Sequence, residues 1–349
     1  MPRPRPMLRV CHAALATALL AGLVPIGGCK RPSDGKAGKP VLLYCSVDEV
    51  FARTLIDAYE ARTGATIRVI FDSEAGKTTG LVNRIVSEAR SGRTRADVFW
   101  SSELFNTILL ARKGLLASYD PPPAVDIPAR FKDAQHRWTA LAVRARVLAF
   151  DPRRVDRRDL PTTWAALSDG RFARELALAN PLFGTTRGHV AAMFALWGEE
   201  RGRTFLSDLY EGGVHLVDGN SSAVRAVIAG RVRLAVTDSD DVWVAQARGA
   251  ALDCVYPDMG DGGTLLIPCS VALLAGGPNG AGGRRLVDFL VSAEVERMLA
   301  ESDSRNIPVR SALRDSLRLT WPAESGIGFE AVADAMEEAV AATRDILIR

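Results

Sequence analysis

The sequence contains few of the side chains that build metal sites and nucleophilic active sites. Its 349 residues include four histidines and five cysteines, and neither a Cys-x-x-Cys pair nor a His-Glu-x-x-His motif occurs. A structural zinc site is therefore not expected. There is no Gly-x-Ser-x-Gly nucleophile elbow, and the sequence places no base beside any serine of the polar loops described below. These absences predict that the protein is not an enzyme.

Neither sign of charge is in excess once the N-terminal segment is set aside. The whole sequence has 44 lysines and arginines and 41 acidic residues, a formal net charge of +3. Residues 1–28 contain Arg3, Arg5 and Arg9 but no acidic residue, so 41 basic and 41 acidic residues remain in 29–349. A nucleic-acid-binding protein needs a local excess of basic residues, and no long basic run occurs. We therefore expect no nucleic-acid partner.

The N-terminal segment has the organisation of an export signal. The three arginines precede an apolar segment from Val10 to about Val24, and Pro25-Ile26-Gly27-Gly28-Cys29 follows. A cysteine after an apolar residue and two glycines resembles the bacterial lipobox. The pattern predicts a lipoprotein signal peptide over 1–28, lipidation of Cys29, a polar tether over 29–40 and a periplasmic, membrane-anchored protein. A plain signal peptide cut near Gly28 is the alternative.

From residue 41 onward the hydrophobic periodicity alternates between strand and helix, which is typical of an α/β fold. The predicted strands are 41–45, 66–71, 96–100, 143–150, 176–179, 214–217, 234–236 and 263–274. The predicted helices are 50–62, 78–89, 104–113, 186–197, 221–229, 240–247 and 284–300. This alternation predicts a largely parallel sheet with helices on both faces.

Cys45 and Cys269 lie in apolar strands, which predicts buried free thiols.

The elements divide into two α/β lobes. The strand at 264–274 is expected to return to the first lobe, which makes that lobe discontinuous. The predicted boundaries are 41–145 and 265–349 for the first lobe and 146–264 for the second.

Six loops between a strand and the following helix, three from each predicted lobe, are rich in small polar and acidic residues. In an open parallel sheet such loops meet at the carboxyl ends of the strands, where ligands bind. Each loop alone is also typical of a capped helix start. Together they predict a cleft for an anion or a hydroxylated ligand. The candidate binding residues are Ser46, Asp48, Glu74, Ser102, Glu103, Gly184, Thr185, Thr186, Asn220, Ser221, Asp238 and Asp240.

Several short segments in chain order resemble the substrate-binding proteins of ABC importers, and most closely the ferric-iron group of the type 2 periplasmic binding fold. These segments are Tyr44-Cys45-Ser46, Ala96-Asp97-Val98-Phe99-Trp100, Arg144-Ala145-Arg146-Val147, Asn180-Pro181, Gly184-Thr185-Thr186, Asp218-Gly219-Asn220, Thr237-Asp238-Ser239-Asp240 and Ile307-Pro308-Val309-Arg310.

The resemblance covers 41 to about 310. It implies two lobes joined by a hinge, with the ligand cleft between them, and a monomer that delivers its ligand to a membrane permease. It implies no cofactor other than the transported ligand, whose family default is Fe(III), with or without a synergistic anion.

One departure from the ferric pattern leaves the ligand open. Ferric-binding members usually carry two adjacent tyrosines where this chain has Asp240-Asp241, and no Tyr-Tyr pair occurs. Fe(III) also accepts carboxylate oxygens, so Asp240, Asp241 and Glu74 are candidate metal ligands. The alternative is a phosphorylated sugar, a phosphonate or another small polar solute. Hydroxyls and helix N-termini would then hold the anion, and nearby acids would take a hydroxyl or an amine.

Two other classes of function stay open at this point. A secreted hydrolase would need an activated nucleophile, which the sequence does not show. A purely structural lipoprotein would bind no ligand.

Overall fold

The computed structural model describes residues 39–73 and 76–348. The predicted signal peptide, Cys29 and most of the predicted tether lie outside the described residues, and so does Glu74. Those predictions therefore rest on the sequence.

Ten strands of the described part form one mixed sheet. They are β1 (Val41–Cys45), β2 (Ile67–Phe71), β3 (Val98–Ser101), β4 (Leu116–Ala117), β5 (Thr139–Phe150), β6 (Leu176–Ala179), β7 (His215–Val217), β8 (Leu234–Asp238), β9 (Asp253–Val255) and β10 (Leu266–Leu274). Hydrogen-bonded neighbours follow the order β2-β1-β3-β10-β5-β8-β6-β7, with β4 paired to β10 and β9 to β5.

The sheet is parallel at its two ends and antiparallel in its centre. β1 pairs in parallel with β2 and β3, and β6 pairs in parallel with β7 and β8. In between, β10 runs antiparallel to β3 and β5, and β5 runs antiparallel to β8. The expectation of a largely parallel sheet missed this centre. β5 runs in the direction of β1–β3 although it lies next to β8, and β10 runs in the direction of β6 and β8 although it lies next to β3, so each is antiparallel to both of its neighbours in the strand order.

Twelve α-helices of the described part pack around this sheet. They are α1 (Glu49–Thr63), α2 (Thr79–Arg90), α3 (Phe105–Arg112), α4 (Gly170–Ala173), α5 (Gly184–Trp197), α6 (Glu199–Glu211), α7 (Asn220–Ile228), α8 (Ser239–Ala247), α9 (Gly280–Leu290), α10 (Ala293–Glu301), α11 (Ser311–Leu317) and α12 (Phe329–Ile346).

β5 and β10 connect the two ends of the sheet. β5 is buried along all twelve residues, and its last five, Arg146–Phe150, pair with β8 while its earlier residues pair with β10. The ladder is irregular near its middle, because Ala142 has a φ of 47° and the register shifts between Pro268 and Cys269. The Ala142 N–H donates to Glu296 Oε1 at 3.3 Å, so a buried carboxylate supplies an acceptor at the irregularity.

The predicted single helix over 284–300 is wrong, because two helices occupy this region. α9 ends at Leu290, and α10 begins at Ala293. The Ser292 side chain accepts a hydrogen bond from the Val295 N–H, as an N-cap residue does. A serine inside an apolar helical pattern was the available signal.

The C-terminal helix α12 was not predicted, although it is a large part of the core. Val332, Ala335, Met336 and Ala339 form its buried stripe at helical spacing. The helix packs against α5 and α6, which follow β6, and also against α3, which follows β3. It therefore contacts both ends of the sheet. The predicted lobe boundaries, which assign this helix to the first lobe, stay a prediction.

Cys45, Cys254 and Cys269 are buried free thiols in the described part. Cys45 lies in β1 and Cys269 in β10, as predicted. Burial raises the pKa of the Cys45 thiol, so this thiol is neutral and unreactive at ordinary pH.

No helix within 39–73 or 76–348 combines the length and the apolar character that crossing a bilayer requires.

A substitution at Gly263 would test how tightly the chain packs just before β10. A Cβ at this position would meet backbone, at 2.5 Å from Glu324 O and 2.6 Å from Ser325 N. Backbone yields less than the end of a side chain does, so we expect Gly263→Ala to reduce the free energy of unfolding by about 1–3 kcal/mol. Urea denaturation measures this. Gly280→Ala is the matched control, because a Cβ there has no neighbour within 4 Å. Equal stability of the two variants would contradict the packing described.

Candidate functional site

The polar loops that follow the strands surround one cavity. Eight of the twelve predicted binding residues line it, namely Asp48, Ser102, Gly184, Thr185, Thr186, Asn220, Asp238 and Asp240. They come from both ends of the sheet. The cavity has a volume of about 40 Å³, which is space for a compact polar group.

The other four predicted residues have different places. Ser46 is buried next to Ser102, behind the cavity wall. The fully buried carboxylate of Glu103 accepts hydrogen bonds from the Asn106 N–H at 3.1 Å and from its side-chain amide at 2.8 Å, so it serves the start of α3. Ser221 faces a groove outside the cavity. Glu74 lies outside the described residues.

One side of the cavity, called the first wall, is formed by the residues that follow β1 and β3 and precede α2. The hydroxyls of Ser46, Thr78 and Ser102 form a buried cluster there. The Thr78 hydroxyl donates to Ser46 Oγ at 3.1 Å, and the Ser102 N–H donates to the same oxygen at 2.9 Å. The Thr78 and Ser102 hydroxyl oxygens are 3.2 Å apart. Thr78 has a φ of 66°, which is rare for a β-branched residue and costs conformational energy. The cluster holds Ser102 in place on the cavity wall.

The other side of the cavity, called the second wall, is formed by the starts of α5, α7 and α8, and an ion pair between Arg146 and Asp238 connects them. The Arg146 side chain is fully buried on β5, and its Nη1 donates to Asp238 Oδ1 at 2.7 Å. The same guanidinium donates to the hydroxyls of Thr185 at 3.2 Å and Thr186 at 3.3 Å. Thr185 and Asn220 also donate to Asp238 Oδ2, at 2.7 and 2.9 Å. One buried pair therefore holds the starts of α5, α7 and α8 together.

His189, which does not line the cavity, also contacts Arg146. Its Nδ1 accepts a hydrogen bond from Arg146 Nε at 3.4 Å. Burial lowers the pKa of His189 well below 6.5, and the neighbouring Arg146 lowers it further. The imidazole is therefore neutral at physiological pH, which suits an acceptor facing a guanidinium.

Arg144 links the two walls. Its Nη2 donates to the Ser102 carbonyl, its Nη1 lies 3.1 Å from Asp240 Oδ2, and its Nε lies 3.3 Å from Asp238 Oδ2. Burial alone would lower the pKa of Arg144, but the surrounding anionic groups, with Asp240 the strongest, raise it well above its usual value. Arg144 is therefore a permanent cation in the cavity wall.

The helices α5 and α7 start at the cavity without side-chain caps. Their N-cap residues are Phe183 and Gly219, and neither accepts a side-chain hydrogen bond from the helix. Gly184, Thr185 and Asn220, the first residues of these helices, line the cavity. Backbone N–H groups at a helix start and the helix dipole favour an anion. The second wall can therefore bind an anionic group.

Acidic residues outnumber basic residues in the cavity wall. Two basic residues, Lys77 and Arg144, line it together with five aspartates, namely Asp48, Asp218, Asp238, Asp240 and Asp241. Burial raises the pKa of Asp241 well above its ordinary value, and the negative charges of Asp240, Asp238 and Asp48 raise it further. Burial also raises the pKa of Asp240. These carboxylates repel one another, so a cation in the cavity would stabilise them.

Lys77 connects the two sides of the cavity. Its ammonium pairs with Asp48, and its carbonyl accepts the Gly184 N–H at 3.2 Å. Although removal from water raises the pKa of Asp48, Lys77 outweighs this effect and the pKa is lowered.

Lys77, Asp218, Phe51, Phe183 and Asn306 also line the cavity and were not among the predicted site residues. Lys77 and Asp218 stand in the same polar loops as the predicted residues, so position in the loop was the available signal. Asn306 comes from a distant part of the chain, directly before the family-like segment Ile307-Pro308-Val309-Arg310, and it lies in none of the six strand-to-helix loops.

The aspartates after β8 also form a candidate cation site. Asp238, Asp240 and Asp241 each offer an oxygen within 4.8 Å of the others. All three already have partners. Asp238 and Asp240 pair with arginines, and Asp241 Oδ2 accepts the Thr237 hydroxyl at 2.8 Å. No tyrosine lines the cavity within the described residues. A hard metal ion would therefore have carboxylate but no phenolate ligands here.

Residues 96–325 match the family model of bacterial extracellular solute-binding proteins. A major ferric iron-binding protein of Neisseria meningitidis is 27% identical over 269 residues, which cover 74% of this chain and 78% of that protein. A periplasmic protein of Salmonella typhimurium, named for binding 2-aminoethylphosphonate, is 25% identical over 273 residues, 77% of each chain.

Solved structures with the same fold include iron-bound HitA from Pseudomonas aeruginosa, with a TM-score of 0.74 and 22% identity over 88% of this chain and 99% of that one. The periplasmic binding protein AfuA from Actinobacillus pleuropneumoniae, with fructose-6-phosphate bound, gives a TM-score of 0.76 and 19% identity over 89% and 99%. The predicted type 2 periplasmic binding fold is confirmed.

Asp241 gives a pH-dependent prediction for the ligand-free protein. Its raised pKa means that the folded state holds the proton more tightly than the unfolded chain does. This stabilisation is complete below the ordinary pKa of 3.8 and is lost as pH rises through the raised value. Asp241→Asn cannot ionise, so we expect its Tm to exceed that of the wild type by about 2–4 °C at pH 7.

Differential scanning calorimetry at pH 7 and near pH 4 checks this prediction. The difference in Tm should shrink toward the lower pH. Asp303→Asn is the control, because it changes the same charge on an exposed side chain. A lower Tm for Asp241→Asn at pH 7 would contradict the crowding of carboxylates.

Proposed function

The chain belongs to the family of bacterial extracellular solute-binding proteins, and we propose that its solute is a small zwitterion with an ammonium group and a phosphonate or phosphate group. The family supplies the solute-binding components of ABC importers, which are extracytoplasmic transport proteins and not enzymes. The observation that carries the proposal is the presence, in one cavity, of two uncapped helix starts and an excess of aspartates.

The aspartates favour the cationic end of such a solute. Asp240 and Asp241 lie side by side in the cavity wall, and the pKa of each is raised by burial and by neighbouring carboxylates. An ammonium group relieves this repulsion and donates up to three hydrogen bonds. A solute with only anionic groups would add to the repulsion.

The starts of α5 and α7 favour the anionic end. Phosphonate oxygens accept hydrogen bonds from backbone N–H groups, and the helix dipoles add a favourable field. Arg146 orients the Thr185 and Thr186 hydroxyls at this point. The relative from Salmonella typhimurium is named for a solute of this zwitterionic class, which supports the proposal.

Ferric iron is the second candidate solute. The three carboxylates of Asp238, Asp240 and Asp241 favour it, and so do the relatives named as ferric iron-binding proteins. As cargo, Fe(III) would take carboxylate oxygens from Asp240 and Asp241, and the helix starts would hold an accompanying anion. Arg144 competes for Asp240, and no tyrosine of the described residues lines the cavity, so the geometry supports the zwitterion better.

Binding measurements separate the two solutes. We expect 2-aminoethylphosphonate to raise the Tm of residues 30–349 by mass action and to give a saturable heat in titration calorimetry. Asp240→Asn should weaken this binding by about 10–100-fold, because it removes a charge-assisted hydrogen bond. Asp303→Asn should leave it unchanged. Binding of Fe(III) with bicarbonate, together with no effect of 2-aminoethylphosphonate, would establish the second candidate instead.

We also propose that Cys29 is lipidated and anchors the protein to the membrane, where it serves a permease as a monomer. The order of the arginines, the apolar segment and Gly27-Gly28-Cys29 supports the anchor.

Fractionation of cells that express the full chain tests the anchor. We expect the wild type in the membrane fraction with residues 1–28 removed. Cys29→Ser should either be released into the soluble periplasmic fraction or keep residues 1–28 uncleaved. Mass spectrometry of the N-terminal peptide should show diacylglycerol on Cys29. An unmodified N-terminus near Gly28 in the wild type would contradict lipidation.

A further inference from the structure

A groove adjoins the cavity and is much larger than it. Both are lined by Asp48, Phe51, Lys77, Asp240 and Asp241, so the two spaces meet at these residues. The groove has a volume of about 600 Å³, against about 40 Å³ for the cavity. The cavity therefore has space for a compact head group, and the groove has space for a longer part of a solute.

Five large apolar side chains line this outer groove. Val50 and Phe51 come from α1, Val224 and Ile228 from α7, and Val244 from α8. Val50 is 60% exposed and Ile228 is 50% exposed. Six large apolar or aromatic side chains of the described part are exposed, and two of them line this groove, one from α1 and one from α7. Such clustering marks a surface that a ligand covers.

Two arginines also line the outer groove. Arg225 and Arg248 are exposed, and Arg225 donates to the Ser222 hydroxyl at 2.7 Å. No ion pair with a carboxylate joins either arginine within the described residues. Their charge favours an anionic group in the groove, whereas the aspartates at the junction with the cavity favour a cation.

We propose that the outer groove binds an organic arm of the solute, so that the solute is an amino-phosphonate or amino-phosphate whose nitrogen, held by the aspartates at the junction, carries an aliphatic arm. The arm lies against Val50, Phe51 and Ile228, and an acidic group at its end pairs with Arg225 or Arg248. This inference rests on the proposed function, because the head group must occupy the cavity for the arm to reach the groove.

Calorimetric titration with three probes tests this inference. The probes are 2-aminoethylphosphonate, its N-hexyl derivative and its N-(5-carboxypentyl) derivative. We expect the N-hexyl derivative to bind about tenfold more tightly than the parent, because part of its chain leaves water. The N-(5-carboxypentyl) derivative should bind a few-fold more tightly again at low salt, and this second gain should fall at high salt.

Substitutions in the outer groove test whether the additional affinity of the longer probes arises there. Val50→Ser and Ile228→Ser should remove most of the advantage of the N-hexyl derivative. Val125→Ser, at a side chain that is 85% exposed and lines neither space, should keep it. An N-hexyl derivative that binds no more tightly than the parent, or a gain that persists in both groove variants, would overturn the inference while the proposed function stands. If the parent does not bind, the proposed function fails and the inference fails with it.

Discussion

The buried ion pair between Arg146 and Asp238 is the interaction on which the binding site depends. Arg146 has no exposed side-chain surface, and its guanidinium reaches Asp238, Thr185, Thr186 and His189. Two charges removed from water are costly unless hydrogen bonds satisfy all of their polar atoms. The starts of α5, α7 and α8 supply these bonds, so the requirement to solvate one pair fixes the relative positions of three helices. His189 must stay neutral for the same reason, since a second cation would face Arg146.

That arrangement determines what the cavity can bind. The arginines consume much of the charge of Asp238 and Asp240, yet aspartates still exceed basic residues in the wall. The uncapped starts of α5 and α7 face the same space with the opposite polarity. A solute with one charge of each sign satisfies both sides, whereas an ion of a single sign satisfies one. The absence of tyrosine from the described lining separates this cavity from the ferric pattern, although the fold is shared with iron-bound HitA.

Local patterns found most of the site but could not orient each side chain. Asp240 and Thr185 follow strands, and both reach the cavity because the carboxyl ends of β6 and β8 meet there. Glu103 follows β3 in the same way, yet its carboxylate turns back to Asn106 at the start of α3. A cap and a ligand-binding residue have the same sequence signature, and packing decides between them. Asn306 shows the converse, because it lines the cavity although it lies in none of the strand-to-helix loops and only precedes the family-like segment Ile307-Pro308-Val309-Arg310.

The sequence by itself determined the α/β alternation, the loops that carry polar residues, the resemblance to a solute-binding family and the expectation of an export signal. These follow from periodicity and from order along the chain, which are local properties. Only the tertiary structure decided that β5 and β10 run antiparallel through the centre, that α12 contacts both ends of the sheet, and that Arg144 and Arg146 neutralise part of the aspartate charge. Each of these depends on contacts between segments far apart in the chain, such as Arg146 with Asp238, and the free energy of such contacts has no local pattern.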